Sequence, residues 1–333
     1  MSRSVQSARP ALWLDKPYYS LHAYCRHTFD EKLYKIALNA GMTCPNRDGL
    51  LDTRGCIFCS AGGSGEFAVN TEGRSIAQQI RCGIDLFQGK RTGTRFIAYF
   101  QAFTNTYAPV SRLRMLFTQA LEAPQIAGIS IATRPDCLPE EVLTLLTDLR
   151  QTFPGKFIWL ELGLQTVHPQ TAAYIRRGYP LSCFTDAVHR LHLRRLPVIV
   201  HTILGLPGEN RQHIYETICF LNTLPVFGVK LQLLHVLEGT DLAADYRAGM
   251  FRLPDQECYT DLVIGALERL SPNIVVHRIT GDGPKDLLIA PKWSLHKRNV
   301  LNRIHQEMRR RDTWQGKYAP TDRSVPEGRK GTV

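Results

Sequence analysis

Residues 43–67, TCPNRDGLLDTRGCIFCSAGGSGEF, place three cysteines beside a run of glycines. Cys44 stands alone, and Cys56 and Cys59 follow as a C-x2-C pair. Thiolates favour zinc and iron–sulfur clusters. A structural zinc site or a four-cysteine cluster needs a fourth ligand, and the sequence offers none nearby. Three protein ligands leave one coordination position open for a substrate or cosubstrate, as in catalytic metal sites. A structural zinc completed by a distant cysteine or histidine is the alternative.

Short apolar runs around this stretch predict buried strands, and longer patterns between them predict helices. The strands are expected at 33–39, 95–101, 127–133, 156–165, 197–205 and 228–236, and the helices at 111–123, 138–153, 181–195, 210–224 and 255–270. This alternation indicates parallel strands joined by right-handed crossovers, in an open doubly wound sheet or in a barrel-like sheet. Both arrangements place functional residues at the carboxyl ends of the strands.

The composition is that of a globular protein. The chain has 333 residues, and 44% of them are hydrophobic. No apolar stretch has the length of a signal peptide or a membrane span, so we expect a soluble cytoplasmic protein with no membrane partner. Nine cysteines, an odd number of which six are scattered, indicate metal binding or catalysis more than disulfides. The net charge of +11 is compatible with a polyanionic partner and equally with a solvated basic surface.

Seven further motifs accompany the cysteine loop. They are YFQAFTNTY (99–107), ATRPDCL (132–138), ELGLQT (161–166), RRG (176–178), GLPGE (205–209), LHVLEGT (234–240) and GDGPKDLLIAPKWSL (281–295). In this order they resemble the radical S-adenosylmethionine (radical SAM) enzymes, and among these the YhcC-type branch related to the elongator catalytic subunit. The common family spacing is C-x3-C-x2-C. The longer spacing here, C-x11-C-x2-C, is similar to that branch.

The resemblance covers roughly residues 20–317 and implies an α/β fold, a partial (β/α)6 radical SAM barrel with a basic helical C-terminal extension. The expected organisation is an N-terminal extension at 1–30, the barrel at 31–280, the basic extension at 281–317 and a disordered tail at 318–333. The acetyltransferase domain of the elongator subunit does not follow, so acetyl-CoA chemistry is not expected.

The same resemblance implies the cofactors. Cys44, Cys56 and Cys59 would bind three irons of a [4Fe–4S] cluster, and the fourth iron would bind the amino and carboxylate groups of S-adenosylmethionine (SAM). An electron from a donor such as flavodoxin or ferredoxin would pass through the cluster and cleave SAM to methionine and a 5′-deoxyadenosyl radical. The work of the protein itself would be to orient SAM and to exclude competing reactants.

The resemblance further implies ten contacts to SAM. They are Phe58, Gln101, Thr104, Asn105, Glu161, Gln165, Arg177, Gly205, His235 and Leu237. The segment QAFTNT replaces the GGE-like turn that meets the SAM amino group in most of the family. Gln165 would lie against the ribose, and Arg177 would pair with the SAM carboxylate, with Arg176 as the neighbouring alternative. Ordinary structural explanations stay open, such as a buried ring for Phe58.

Two residues stand out by their own chemistry. Glu161 interrupts the apolar run FIWLELGL, and because a buried carboxylate is costly without partners, a functional role is favoured over packing. Glu161 and Gln165 are four residues apart in one predicted strand, so they face the same side. Cys137 follows another predicted strand, where it would be a hydrogen-atom or proton donor, or else a small buried thiol.

The C-terminal segment 292–317 bears on the substrate. It carries eight Lys and Arg residues against Glu307 and Asp312, with Trp293 and Trp314 among them. Basic side chains contact phosphates and aromatic rings stack on unpaired bases, so the segment suits tRNA. A helix that packs on the barrel and points its charges to water explains the same pattern.

Members of the elongator branch act on the wobble uridine of tRNA. Our leading hypothesis is therefore a radical SAM enzyme that modifies the wobble uridine side chain of a tRNA. The motifs ELGLQT and RRG also resemble the oxygen-independent coproporphyrinogen oxidase, so an enzyme acting on a small molecule such as a porphyrin precursor is the first alternative. The second is a zinc-stabilised RNA-binding protein without catalysis.

Overall fold

The computed structural model describes residues 13–63, 65, 73–87 and 93–320. The strands in this part of the chain are β1 (Tyr34–Leu38), β2 (Phe96–Phe100), β3 (Ile126–Thr133), β4 (Phe157–Gln165), β5 (Val198–Leu204), β6 (Gly228–Leu233), β7 (Val236–Leu237), β8 (Val275–Arg278) and β9 (Leu288–Ala290). The helices are α1 (Leu21–Phe29), α2 (Ile76–Asp85), α3 (Val110–Glu122), α4 (Glu140–Thr152), α5 (Pro169–Tyr174), α6 (Leu181–Leu193), α7 (Arg211–Leu221), α8 (Asp241–Arg247), α9 (Gln256–Arg269) and α10 (Lys297–Arg310). Part of the predicted disordered tail, residues 321–333, lies outside the described residues.

Seven parallel strands form one sheet in the order β1-β2-β3-β4-β5-β6-β8, and β7 pairs with β9 in a separate antiparallel ribbon. Parallel neighbours need a crossover, and helices supply it between consecutive strands of the large sheet. The sheet forms a half-barrel with the helices around it, which confirms the predicted partial barrel. All six predicted strands are present, and β8 adds a seventh that the sequence did not predict.

The five predicted helices are present as α3, α4, α6, α7 and α9. Local capping explains where two of them begin. The side chain of Asn210 accepts hydrogen bonds from the first backbone amides of α7, and Asp255 accepts one from the amide of Cys258 in α9. Such caps satisfy amides that have no partner inside the helix. The shorter helices α1, α2, α5 and α8 were not predicted.

The basic segment 292–317 forms a short 3-10 helix, Lys292–Leu295, and then α10. Val300, Ile304 and Met308 recur every four residues in α10 and are buried, and α10 contacts α9. An apolar stripe at this spacing is the packed face of an amphipathic helix. The extension is therefore docked on the sheet's outer helices, with most of its charged side chains exposed.

The two tryptophans of this segment have packing roles. Trp293 is half-buried, with its ring 5.5 Å from that of Tyr259 between centroids. Trp314 is also half-buried, and the Lys317 ammonium lies 5.1 Å from its ring centroid. Neither ring is a fully exposed surface on which an unpaired base could stack.

The inner face of the half-barrel is layered, because alternate residues of a strand face the same side. From the amino to the carboxyl ends of β2, β4 and β5 the layers are Ile97, Trp159 and Ile199, then Tyr99, Glu161 and His201, then Gln101, Gly163 and Ile203. The first layer belongs to an apolar cluster that α1 completes with Cys25 and aromatic rings. The other two layers line a cavity.

Candidate functional site

A cavity of about 940 Å³ lies along the inner face of the half-barrel. Its lining comes from the strands, from the cysteine loop that follows β1, and from side chains within residues 281–297. Ligand sites of known proteins have volumes of roughly 300–1,000 Å³ and occupy the carboxyl end of such sheets. The cavity therefore has the size and the place of a ligand-binding site.

Cys44, Cys56 and Cys59 all line this cavity, and each is half-buried. The loop is held by its own hydrogen bonds. The amide of Cys59 donates to the carbonyl of Cys56 at 2.9 Å, and the Arg47 guanidinium donates to the carbonyls of Cys59 and Ser60 at 2.8 and 2.6 Å. All nine cysteines of the chain are free thiols. The three predicted ligands thus lie on one ordered loop at one cavity.

The chemistry of this loop fits a cationic iron–sulfur group. Burial, followed by the neighbouring thiols of Cys59 and Cys44, raises the pKa of the Cys56 thiol to about 12. Metal ions bind the thiolate, so ligation would remove these protons and the charge repulsion between the thiolates. Among the described residues, no three or more His, Cys, Asp or Glu side chains form a group that could hold a metal ion. A [4Fe–4S] cluster does not need its ligands around a single metal ion, because each thiolate binds a different iron.

The RRG motif is hydrogen-bonded to the cysteine loop through Asn46. The Asn46 side-chain amide donates to the Cys56 sulfur at 3.4 Å and to the Arg176 carbonyl at 2.8 Å. Gly178 has a φ of +83°, and a Cβ there would lie 2.8 Å from Asn46 Oδ1 and 3.2 Å from Arg134 Nη2. Only glycine therefore fits this position without displacing the amide that contacts Cys56.

We expect Gly178→Ala to weaken iron retention by about 10- to 100-fold, the usual effect of disturbing the groups behind metal ligands. Gly249→Ala is a matched control, because Gly249 has a φ of +73° with nothing within 4 Å of an added Cβ. Both variants should lose about 1–2 kcal/mol of stability from the left-handed backbone. Iron retention against a chelator should separate them, and equal retention in the two variants would contradict the supporting role of Gly178.

Eight of the ten predicted SAM contacts line the cavity. They are Phe58, Gln101, Thr104, Glu161, Gln165, Arg177, His235 and Leu237. His235 also hydrogen-bonds Ser294 at 3.2 Å, and burial lowers the pKa of its imidazole to about 4. Most of the predicted set therefore faces the same space as the three cysteines.

Three predicted site residues are not among those that line the cavity. The Asn105 amide donates to the carbonyls of Phe100, Ala102 and Ala132 and so builds the turn after β2. Gly205 has a φ of +86°, which makes it a turn glycine. Cys137 is buried beside Asp136, and burial, then Asp136, raises the pKa of its thiol to about 12. A turn glycine and a small buried thiol describe the positions of Gly205 and Cys137 better than ligand contact does.

Of the two arginines in the RRG motif, Arg177 lines the cavity and Arg176 does not. Arg177 is buried, and its Nε and Nη1 donate to three backbone carbonyls at 2.7–3.1 Å, those of Leu164, Thr166 and Tyr179. Burial lowers its pKa, but a guanidinium stays charged in proteins. Arg176 pairs with Asp241 at 2.7 Å instead. Three backbone carbonyls thus fix the Arg177 guanidinium at the cavity wall.

Gln165 ends β4 in an unusual conformation. Its φ is +64°, and the pairing between β4 and β5 shifts register between Gly163 and Gln165. The side-chain oxygen is buried and has no hydrogen-bond partner in the described part of the chain. A left-handed non-glycine residue and an orphaned acceptor are both costly, and such features collect at binding sites. Gln165 therefore has a free acceptor at the cavity wall.

Glu161 is the centre of a buried charged layer in the middle of the cavity wall. One oxygen accepts from Lys35 and from Ser130 Oγ, the latter at 2.5 Å, and the other accepts from Lys230 and from His201 Nε2 at 2.6 Å. Burial alone would raise the pKa of this carboxyl, but Lys230 and Lys35 hold it well below its ordinary value. Because four donors occupy both oxygens, Glu161 serves this layer rather than contacting SAM as predicted.

His201 is neutral in this layer. Burial, then Lys230, lowers the pKa of its imidazole to about 4. Donation from Nε2 to Glu161 leaves Nδ1 as an acceptor, and the Gln232 amide donates to it at 3.2 Å. Burial also lowers the pKa of Lys230 well below its ordinary value, although Glu161 beside it opposes the change.

Lys35 and Lys230 were not among the predicted site residues. Lys35 interrupts the apolar run LYKIALN, and Lys230 interrupts the run GVKLQLL. A charged residue inside an apolar run is the same signal that singled out Glu161. Arg134 was also missed. It donates to the Arg177 carbonyl at 3.0 Å, pairs with Asp136 through two hydrogen bonds of 2.7–2.9 Å, and lines the cavity.

Within the described ranges, no helix combines the length and the apolar character needed to cross a membrane. The family model described as the radical SAM superfamily matches residues 53–221, and that of the radical SAM C-terminal domain matches residues 226–310. These two matches cover the cysteine pair, most of the residues that line the cavity and α10, whereas Lys35 and Cys44 lie before the first match.

The chain is similar to individual proteins over most of its length. It is 43% identical to YtqA of Bacillus subtilis, covering 91% of this chain and 93% of YtqA, and 36% identical to YhcC of Escherichia coli K12, covering 80% and 84%. The solved structure of archaeal Methanocaldococcus infernus Elp3 superposes with a TM-score of 0.66 at 16% identity, covering 85% of this chain and 64% of Elp3. The chain therefore belongs to the radical SAM superfamily, in the YhcC-type branch related to the elongator catalytic subunit, and its cofactors are a [4Fe–4S] cluster and SAM.

Proposed function

We propose that this protein is a cytoplasmic radical SAM enzyme that modifies the wobble uridine side chain of a tRNA. The observation that carries the proposal is that Cys44, Cys56 and Cys59 line one cavity together with seven predicted SAM contacts, Glu161 being left out of this number. The proposed organisation keeps the barrel at 31–280 and the basic extension at 281–317.

Cys44, Cys56 and Cys59 would hold the cluster, which supplies the electron that cleaves SAM when both are bound. Three thiolates leave one iron for SAM, and a donor such as flavodoxin or ferredoxin would provide the electron. The Asn46 amide would donate to the bound Cys56 sulfur, and hydrogen bonds to sulfur are one determinant of cluster potential.

The other lining residues would orient SAM and exclude water. Gln165 offers its orphaned oxygen to the ribose hydroxyls, and the fixed guanidinium of Arg177 suits the SAM carboxylate. Gln101 and Thr104 line the cavity and would meet the amino group in place of the family turn, and Phe58, His235 and Leu237 would contact the adenine side. These assignments follow the resemblance residue by residue.

Two observations favour tRNA as the substrate. The net charge is +11, and the basic extension reaches the cavity, because Ser294, Leu295 and Lys297 belong to its lining. Arg298 and Arg309 are exposed on α10. A basic surface beside a cavity can bind the phosphate backbone while one nucleotide enters the cavity.

The proposal is tested by SAM cleavage after anaerobic reconstitution, with and without bulk tRNA from a strain lacking the protein. We expect 5′-deoxyadenosine formation to rise with that tRNA and not with a porphyrin precursor.

The binding of tRNA should also weaken with salt. The double variant Arg298→Gln, Arg309→Gln should reduce the slope of log affinity against log salt by about 1.5. Arg114→Gln on α3 is the control and should leave the slope unchanged. Turnover of the porphyrin precursor without RNA, or no tRNA binding at low salt, would contradict the proposal.

A further inference from the structure

We propose that the charged layer of the cavity binds an anionic group of the substrate, a carboxylate or a phosphate. The inference rests on the proposed function, because it concerns the substrate of the same cavity. The supporting observations are the number of basic side chains that share the carboxylates of Glu161 and Asp282, and the positions of those side chains in the cavity.

Glu161 is shared by two lysines. Its carboxylate contacts both the Lys35 and the Lys230 ammonium groups, while His201, the third nitrogen donor, is neutral. One carboxylate therefore faces two amines in a buried setting. A buried cation without a matching anion is unfavourable, and a second anion offsets that cost. The same anion would favour the protonated form of Lys230, which burial alone disfavours.

Asp282 repeats this arrangement on the neighbouring wall. Its carboxylate lies 2.6 Å from Lys297 Nζ and 3.6 Å from Arg278 Nη2. In the described part of the chain the complete set of charged lining residues is Lys35, Arg47, Arg134, Arg177, Lys230, Arg278 and Lys297 against Glu161 and Asp282. Asp136, outside the lining, pairs with Arg134, and burial disfavours the charge of Lys230. The five other basic side chains still outnumber the two carboxylates of the lining, so the cavity has a positive potential, which attracts anions.

Lys35 is the charged member of the layer that can reach a ligand, while the neutral His201 is 17% exposed. The Lys35 side chain is 19% exposed, whereas those of Lys230 and Glu161 are 5% and 0% exposed. Glu161 and the Tyr99 ring, 4.6 Å from Lys35 Nζ, hold the ammonium in place. Arg278 and Lys297, with 35% and 41% of their side chains exposed, are further accessible cations of the lining.

The position of the layer gives the anion a role in orientation. Glu161 lies in the middle of β4, whereas Gln165 at its end and the cysteine loop lie at the carboxyl ends of the strands. An anionic group held by Lys35 would anchor the substrate at the deep end of the cavity. The remainder of the substrate would then extend toward the predicted cluster and SAM, where the radical forms.

The test uses the SAM-loaded holoprotein and measures its apparent thermal midpoint in sodium acetate, sodium phosphate or sodium chloride at constant ionic strength. We expect acetate or phosphate to raise the midpoint saturably above chloride, and the responding anion identifies a carboxylate or a phosphate site. Lys35→Met should need about tenfold more of that anion, because a hydrogen bond to a charged group is lost. Lys35→Arg keeps the charge and should stay within about threefold of the wild type.

Arg114→Met is the surface control and should respond as the wild type does. Arg278→Gln is a second, more exposed variant, expected to shift the anion requirement about threefold even if Lys35→Met does not fold. Equal responses to all three salts, or equal responses in wild type, Lys35→Met and Arg278→Gln, would overturn the inference. An anion response seen without SAM and lost when SAM is added would assign the layer to SAM and also overturn it. Because this assay uses neither tRNA nor turnover, a failure of the anion-site inference can be distinguished from a failure of the proposed function.

Discussion

Cys56→Ala is expected to lose the cluster and, with it, at least about 100-fold of the SAM cleavage rate. Loss of a group behind a metal ligand already costs about 10- to 100-fold, and Cys56 would be a ligand itself. The three thiols have no substitute, because no fourth cysteine lines the cavity in the described part of the chain. Cys44→Ala and Cys59→Ala should behave in the same way.

The controls are cysteines outside the cavity. Cys82 on α2 is half-buried, with its sulfur 3.5 Å from an Arg74 nitrogen, and Cys219 is exposed. Neither lines the cavity, so Cys82→Ala and Cys219→Ala should keep the iron, the sulfide and the visible absorbance of the wild type. Full iron and sulfide in Cys56→Ala, or equal losses in all of these variants, would refute the assignment of the ligands.

Glu161→Ala is expected to lower the free energy of unfolding by about 3–5 kcal/mol, since it leaves the buried amine of Lys230 without its carboxylate. Glu140 offers a matched control. Its carboxylate also contacts two cations, Arg190 and Arg194, but 65% of its side chain is exposed. Exposed pairs contribute about 0–1 kcal/mol, so Glu140→Ala should be nearly neutral. Urea unfolding of both variants makes the comparison, and similar losses would show that the charged layer does not stabilise the fold.

The fold was largely predictable because its strands are short apolar runs. The runs behind β2 to β6 are mostly buried on both faces, and such strands lack polar alternation. β1 is half-buried at three of its five residues. β8 escaped prediction because its four residues, VVHR, are half polar and follow a turn. Its place at the sheet edge is set by pairing with β6 and by the bridge between Ser20 and Val276, contacts that no local pattern reveals.

The site residues were predictable only where the local sequence determines whether a side chain faces the cavity. The cysteines share one loop, so their spacing alone predicted that they act together. Asn105 and Cys137 also follow strands, but the turns after β2 and β3 direct both away from the cavity lining. The charged layer was missed because its members are distant in the chain: Lys35 lies 126 residues from Glu161, and Lys230 lies 69 residues from it.

The layers of the half-barrel suggest how one fold would serve radical chemistry. The apolar layer with Trp159 closes the amino end, the charged layer follows, and the thiols lie at the carboxyl end. A closed end keeps water and other reactants from a reactive intermediate. Fixed cations such as Arg177 and Lys35 would orient charged ligands at little further cost, because their partners already hold them.

The most direct test of the central claim is the metal and sulfide content of the wild-type chain after anaerobic reconstitution, read together with its electron paramagnetic resonance spectrum. We expect about four irons and four sulfides per chain and a reduced-cluster signal that changes when SAM is added, since SAM would bind the iron that no cysteine holds. Zinc without iron or sulfide, or a reduced-cluster spectrum unaffected by saturating SAM, would contradict the claim.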